Sequence, residues 1–164
     1  MSLLQPLTTT STAHVFSFWL FCLGVLLPLL GQAQALSPVG MWEDNSGEAR
    51  VEVSVRDGEL TGRLVWMRHA IDPKTGQPHL DGRNPNPTLR TRPLQNLVVL
   101  YKMRYNPDSG RWEDGEIYDP HSGHYYSCYL RMESRDRLEV KGFIGFSLLG
   151  RSHYWHRLKP GNAL

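Results

Sequence analysis

The chain has 164 residues and a formal net charge of +2, from 18 basic and 16 acidic side chains. So small an excess of positive charge predicts no nucleic-acid partner. All of the charged residues lie beyond residue 35, and residues 36–164 are enough for one domain with a substantial core.

Residues 1–35 have the features of a secretory signal peptide. An apolar run at 15–30, VFSFWLFCLGVLLPLL, is followed by AQA at 33–35, a small-x-small cleavage pattern. The run is short for a membrane span, and Pro28 interrupts it near its end. We therefore predict an exported chain whose mature part is residues 36–164. The alternative is an uncleaved N-terminal anchor.

Beyond residue 40 the apolar residues recur with period two, which predicts β-strands and no long amphipathic helix. Val51, Val53 and Val55 alternate with polar neighbours, and stripes at 60–66, 97–105, 126–132 and 138–146 follow, placing Cys128 inside as a buried small hydrophobe. The pattern predicts eight strands, at 40–46, 49–56, 59–67, 97–105, 111–118, 124–132, 137–146 and 151–158. Short strands joined by tight turns indicate an all-β, antiparallel sandwich or barrel. An up-and-down barrel of eight strands holds packed side chains or one small ligand.

Three segments share the pattern Asx-Pro-x-Ser/Thr-Gly, namely DPKTG at 72–76, NPDSG at 106–110 and DPHSG at 119–123. The Asx side chain can bond to the backbone two residues on, proline presets φ, and glycine accepts φ > 0. A motif that is repeated between strands is typical of tight turns, so Asp119 and Gly123 are predicted to be structural. The alternatives are a metal site with His121 and His124, or a hydrolase using Ser122.

The segment 69–96 is a long loop with five prolines. Loops of this length in compact domains are usually functional or mobile. Arg90 and Arg92 are two residues apart, so an extended backbone would point both toward one carboxylate or phosphate. The alternative is a solvated loop pinned by Leu89 and Leu94. A further alternative is that the two arginines pair with Asp72, Asp81 or Asp119 and hold the loop against the barrel.

The two ends of the mature chain fit one pattern. Gly40-x-Trp42 opens the first strand, and Trp155-x-Arg157 closes the last, with Arg151 before it. This resembles lipocalins and other calycins, in which an early Gly-x-Trp packs beneath an arginine of the final strand. The resemblance implies that an arginine stacks on an indole and shuts one end of a barrel. Gly40, Arg151 and Arg157 are therefore predicted to be structural.

A second resemblance covers residues 38–158. The segments are Gly40-x-Trp42, NPNPTLRTRPL at 84–94, IYDPHSG at 117–123 and GFIGFSLLGRSHYWHR at 142–157. In this order they resemble the bacterial exported family called domain of unknown function 2147. The chain departs from the family pattern at Asn86, where aspartate is expected, and at His156. The resemblance implies a small lipocalin-like barrel in the periplasm of a Gram-negative bacterium, and no established activity.

These observations favour a binding module for a small apolar, amphipathic or anionic ligand. The predicted ligand-binding residues are Trp42, Trp66, Arg90, Arg92, Tyr126 and Trp155, of which the tryptophans are expected to face inward. The alternatives are an envelope structural or interaction protein with a filled barrel and a protein partner, and a hydrolase. No cofactor and no metal are predicted.

Overall fold

Alternation of apolar and polar side chains arranges residues 40–157 as eight antiparallel strands in a closed barrel, each paired with its sequence neighbours. The protein is described here from a computed structural model, which covers residues 36–159 and residue 161; the signal peptide predicted over residues 1–35 lies outside the described residues. The strands are β1 Gly40–Glu43, β2 Ala49–Arg56, β3 Glu59–Met67, β4 Val98–Asn106, β5 Arg111–Asp119, β6 His124–Ser134, β7 Arg137–Phe143 and β8 Arg151–Arg157. Two short 3-10 turns lie in the connections, at Pro87–Leu89 and Ser147–Leu149. The predicted all-β, up-and-down architecture is confirmed.

Antiparallel order gives the barrel two different ends. One end, called the loop end below, carries the β1–β2, β3–β4, β5–β6 and β7–β8 connections at 44–48, 68–97, 120–123 and 144–150. The other, called the closed end, carries three tight turns, the segment 36–39 before β1 and the chain after β8. Long connections are therefore confined to the loop end. No helix among the described residues is long and apolar enough to cross a membrane.

The hydrophobic core fills the half of the barrel nearer the closed end. Leu60, Met103, Leu130 and Leu138 have no measurable exposure there. Burying one such side chain contributes about 1.5–3 kcal/mol, so this half supplies much of the fold's stability. Cys128 is also buried, which confirms its interpretation as a small hydrophobe, and desolvation raises the pKa of its thiol to about 12.

The seventh strand is shorter than predicted. β7 ends at Phe143, and Gly145 turns the chain with φ of +71°. Ile144 and Phe146, which the period-two stripe placed on the inner face, are instead exposed in the β7–β8 loop. The stripe is wrong beyond Gly142 because the turn at Gly145 takes the chain away from β6, which itself continues to His124.

Candidate functional site

The half of the barrel nearer the loop end contains a cavity of about 1570 Å³ that is open to solvent at its mouth. Its wall is apolar because the inward positions of six strands carry hydrophobic side chains there. They are Val51, Leu64, Val99, Ile117, Val140 and Trp155. Gly142 adds space, since a Cβ atom at this position would lie 3.4 Å from Ile117 and 3.6 Å from Tyr126. The cavity therefore remains open although Trp155 lines it, because most of the other inward side chains in this half are aliphatic and position 142 has none.

The mouth of the cavity is polar and is formed by the loops. Arg83 and His79 come from the β3–β4 loop, His121 from the β5–β6 turn, and Arg151 and His153 from the start of β8. Acidic side chains also reach the mouth, at Asp44, Glu48 and Asp119. The site therefore combines an apolar interior with a rim of both charge signs.

Two of the predicted ligand-binding aromatics line this cavity. Trp155 is buried in its wall, and Tyr126 is half-buried with its hydroxyl 3.4 Å from the Ser122 hydroxyl. Trp42 is fully buried but contributes to the closed end rather than to the cavity lining. It faces inward as predicted, yet it lies beneath the site.

The expectation that Trp66 faces inward is wrong. In the β2–β3 ladder Val51 pairs with Leu64, but Arg50 pairs with Trp66, so Val65 is an extra residue on β3. Such a bulge reverses the alternation of sides beyond it. Trp66 consequently lies beneath the Arg50 guanidinium, 4.5 Å from its ring centre, and Met67 takes the cavity-facing position.

The arginines of the long loop are held by that loop. Nη2 of Arg92 lies 2.9 Å from Oδ2 of Asp81, and its Nε donates to the same oxygen over 3.0 Å. Nε of Arg90 donates to the Asn84 carbonyl over 2.8 Å. The structure therefore shows Arg92 paired with an aspartate of the same loop. Neither arginine lines the cavity, and their binding of an external anion stays a prediction.

A buried polar cluster beneath this loop was not found from the sequence. Asp81 has 0% exposure and accepts hydrogen bonds from the Tyr118 hydroxyl, from Asn84 over 2.7 Å and from Arg92. Burial, together with the hydrogen bond to Asp81, raises the pKa of Tyr118 to about 12. The cluster fastens the loop to β5, and the buried Leu97 and half-buried Leu94 add apolar contacts. Its only sequence signal is an Asp-x-x-Asn spacing, which does not name its distant tyrosine partner.

The closed end has the arrangement that the lipocalin-like pattern implies. The Arg157 guanidinium stacks 4.2 Å from the ring centre of Trp42. It also donates to the carbonyls of Ser37 over 2.6 Å, Val39 over 2.7 Å and Arg135 over 2.7 Å. This one side chain therefore joins both termini of the barrel and the β6–β7 turn.

Gly40 and Arg151, also predicted to be structural, lie at opposite ends. Gly40 has φ of +138°, and a Cβ atom there would approach Nη1 of Arg157 to 2.5 Å, so only glycine fits. Arg151 is exposed at the cavity mouth and does not share in the stacking on Trp42.

The segment DPHSG is a turn between β5 and β6, as predicted. Oδ1 of Asp119 accepts from the His121 amide over 2.9 Å, and Oδ2 accepts from the Ser122 hydroxyl over 2.7 Å. The Gly123 amide donates to the Asp119 carbonyl over 2.8 Å, with φ of +75°. The serine hydroxyl is thus directed at the aspartate rather than at a histidine. Within the described residues, no group of three or more His, Cys, Asp or Glu side chains could hold a metal ion.

Comparison with known proteins finds a similar structure and a matching family. Protein HP1028 from the human pathogen Helicobacter pylori, described as belonging to the lipocalin family, has a similar structure with a TM-score of 0.63. The two chains are 20% identical over 76% of this chain and 85% of the other, so the likeness shows the fold alone. The curated proteins include no match. The family of uncharacterised proteins conserved in bacteria, domain of unknown function 2147, matches residues 40–157, and the chain belongs to this family.

Proposed function

We propose that the barrel is a binding module for a small amphipathic ligand. The observation that carries this proposal is the cavity of about 1570 Å³, apolar inside and polar at its mouth. Small-molecule sites usually occupy about 300–1,000 Å³, so the volume, mouth included, is sufficient for one lipid-sized molecule. A filled barrel would favour the alternative of a structural or interaction protein.

The rim supports an amphipathic rather than a purely apolar ligand. Arg83 and Arg151 offer charged donors there, and His121 adds an imidazole ring. A polar headgroup at the mouth would keep its hydrogen bonds while its apolar part replaces water in the interior. The ligand would enter from the loop end because the closed end is sealed by Trp42 and Arg157.

We also propose that the protein acts in the periplasm after cleavage at residue 35. The uncharged apolar run at 15–30 and the AQA that follows support this placement. N-terminal sequencing of protein recovered from the envelope fraction tests it, with residue 36 as the expected first residue. Recovery of the intact N-terminus would instead support the anchor.

Native mass spectrometry of the protein purified from its own host envelope tests the binding proposal. Wild-type protein should carry a co-purifying small molecule. Gly142→Leu should lose it, because the new side chain would project between Ile117 and Tyr126 into the cavity. Gly142→Ala is the matched control, since its Cβ makes ordinary contacts and leaves most of the space open. A wild-type protein that carries nothing, and binds no apolar fluorescent probe, contradicts the proposal.

A further inference from the structure

The β7–β8 loop presents an apolar tip to solvent. Four side chains stand out by their exposed fraction: Ile144 at 77%, Phe146 at 79%, Leu148 at 90% and Leu149 at 83%. Among the described residues, no other large hydrophobic side chain exceeds 55%. Apolar side chains clustered in this way mark a contact surface, because single exposed ones are normal and grouped ones are not.

The backbone of the tip is arranged for such a contact. Gly145 turns the chain with φ of +71°, and the Leu149 amide donates to the Phe146 carbonyl over 3.1 Å. Gly150 fixes the base of the loop against β7, since a Cβ atom there would lie 2.6 Å from the Gly142 carbonyl oxygen. Some backbone N–H and C=O groups of the loop are hydrogen-bonded within the loop, which lowers the free-energy cost of moving it out of water.

Two basic side chains lie at the base of the tip, on the β7–β8 side of a cavity mouth whose acidic side chains, Asp44, Glu48 and Asp119, come from other connections and from the end of β5. Residues 140–164 contain no aspartate or glutamate. Lys141 and Arg151 lie on adjacent strands directly below the loop, where Gly142 pairs with Arg151 and Lys141 with Ser152. Neither cation forms an ion pair with another of the described residues. An apolar tip above unpaired cations is complementary to an anionic lipid surface, which offers acyl chains behind phosphates.

We propose that the β7–β8 loop docks the barrel on an anionic bilayer surface. Phe146 and Leu148 enter the boundary between headgroups and acyl chains, and Lys141 and Arg151 lie at the level of the phosphates. Ile144 and Leu149 also line the cavity, so docking would bring the cavity mouth to the lipid. The proposal goes beyond ligand binding and does not depend on it, since the loop could dock with the cavity empty or full.

Vesicle flotation of residues 36–164 tests the docking. All strands and the core lie between residues 40 and 157, so this part contains the complete barrel. The wild type should float with vesicles of phosphatidylglycerol and phosphatidylethanolamine and bind phosphatidylcholine vesicles less. Phe146→Ser combined with Leu148→Ser should lower the partition coefficient by at least about tenfold. Lys141→Gln and Arg151→Gln should each lower it by about fivefold, and only on the anionic vesicles.

The matched control is Val55→Ser combined with Tyr105→Ser. These two side chains are also exposed, at 48% and 55%, but lie away from the loop end. The control should bind vesicles as the wild type does, and all variants should unfold at similar temperatures. Absence of wild-type binding to the anionic vesicles overturns the proposal, as does equal binding by the loop variant. A solution dimer that the loop variant abolishes also overturns it, because a second copy of the chain would then cover the tip.

Discussion

The repeated turn motif allows one contact to be isolated by substitution. Gly76, Gly110 and Gly123 end the three Asx-Pro-x-Ser/Thr-Gly turns with φ of +67°, +66° and +75°. A Cβ atom at Gly76 or Gly110 would meet nothing within 4 Å, but at Gly123 it would lie 2.0 Å from the Arg83 carbonyl oxygen. Replacement by alanine therefore imposes the same backbone strain three times and a collision once.

The size of the effect follows from these contacts. Alanine in a left-handed conformation costs about 1–2 kcal/mol, which is the whole expectation for Gly76→Ala and Gly110→Ala. In Gly123→Ala the Arg83 backbone must also move. That movement breaks the hydrogen bond from the Arg83 guanidinium to the His121 carbonyl, a charge-assisted bond of about 1.5–3 kcal/mol. Gly123→Ala should therefore lose about 2.5–5 kcal/mol in total, adding the strain to the broken bond.

Urea unfolding of the three variants of residues 36–164 measures this difference. The unfolding midpoint should fall furthest for Gly123→Ala, with the slopes unchanged. Limited proteolysis should cut the β3–β4 loop faster in this variant alone. If Gly123→Ala is no less stable than Gly110→Ala, the β5–β6 turn does not hold the loop and the reasoning is refuted.

Three further predictions concern groups that fasten the barrel and its loop. Arg157→Ala removes one cation–π contact and three hydrogen bonds, so its free energy of unfolding should fall by about 3 kcal/mol. The control is Arg151→Ala, an exposed position, where the free energy of unfolding should change by no more than about 0.5 kcal/mol. Arg92→Ala leaves Asp81 buried without its cation, so the free energy of unfolding should fall by about 3 kcal/mol. Proteolysis of the β3–β4 loop should become faster, and added anions should not slow it. An unchanged proteolysis rate contradicts the pairing. Because the folded-state pKa of Tyr118 is raised from 10.0 to about 12, its neutral phenol stabilises the fold fully below pH 10, and this contribution is lost as the pH rises toward 12. Burial also raises the pKa of Tyr101 and Tyr129, so an ultraviolet absorbance titration of Tyr118→Phe should lose one late-ionising phenol and keep others. A titration unaltered by that substitution would argue against the buried cluster.

The strands and turns were predictable because their signals are local. Period-two alternation sets the two faces of a strand, and the Asx-Pro-x-Ser/Thr-Gly motif acts within five residues. Trp66 was misplaced because a bulge adds one residue to β3, and this register change is determined by the neighbouring strand rather than by the residue types. The end of β7 was missed because Ile144 and Phe146 continue the apolar pattern in the sequence, whereas the turn at Gly145 takes them out of the strand ladder.

The candidate site was only partly predictable. Trp155 and Tyr126 fall on inward-facing positions, so the alternation identifies them. The fastening of the loop depends on Asp81 meeting Tyr118, 37 residues further along the chain. A contact at this separation depends on how the barrel curves, and a single sequence has no local pattern that specifies it. The same applies to the cavity, because its volume depends on the radius of the barrel and on the volume of the side chains inside it.

The short seam between the first and last strands has a consequence for folding. β1 and β8 share only two paired positions, Trp42 with Arg157 and Glu43 with His156, whereas each of the other strands has a longer ladder with its sequence neighbour. Contacts that join residues so far apart form late, because the loop-closure entropy must be overcome before they contribute. Until the seam forms, the outer edges of β1 and β8 are free to pair with another chain. We therefore expect closure of the seam to be the step at which correct folding competes with aggregation, and a chain that ends before residue 157 to aggregate more than the whole chain.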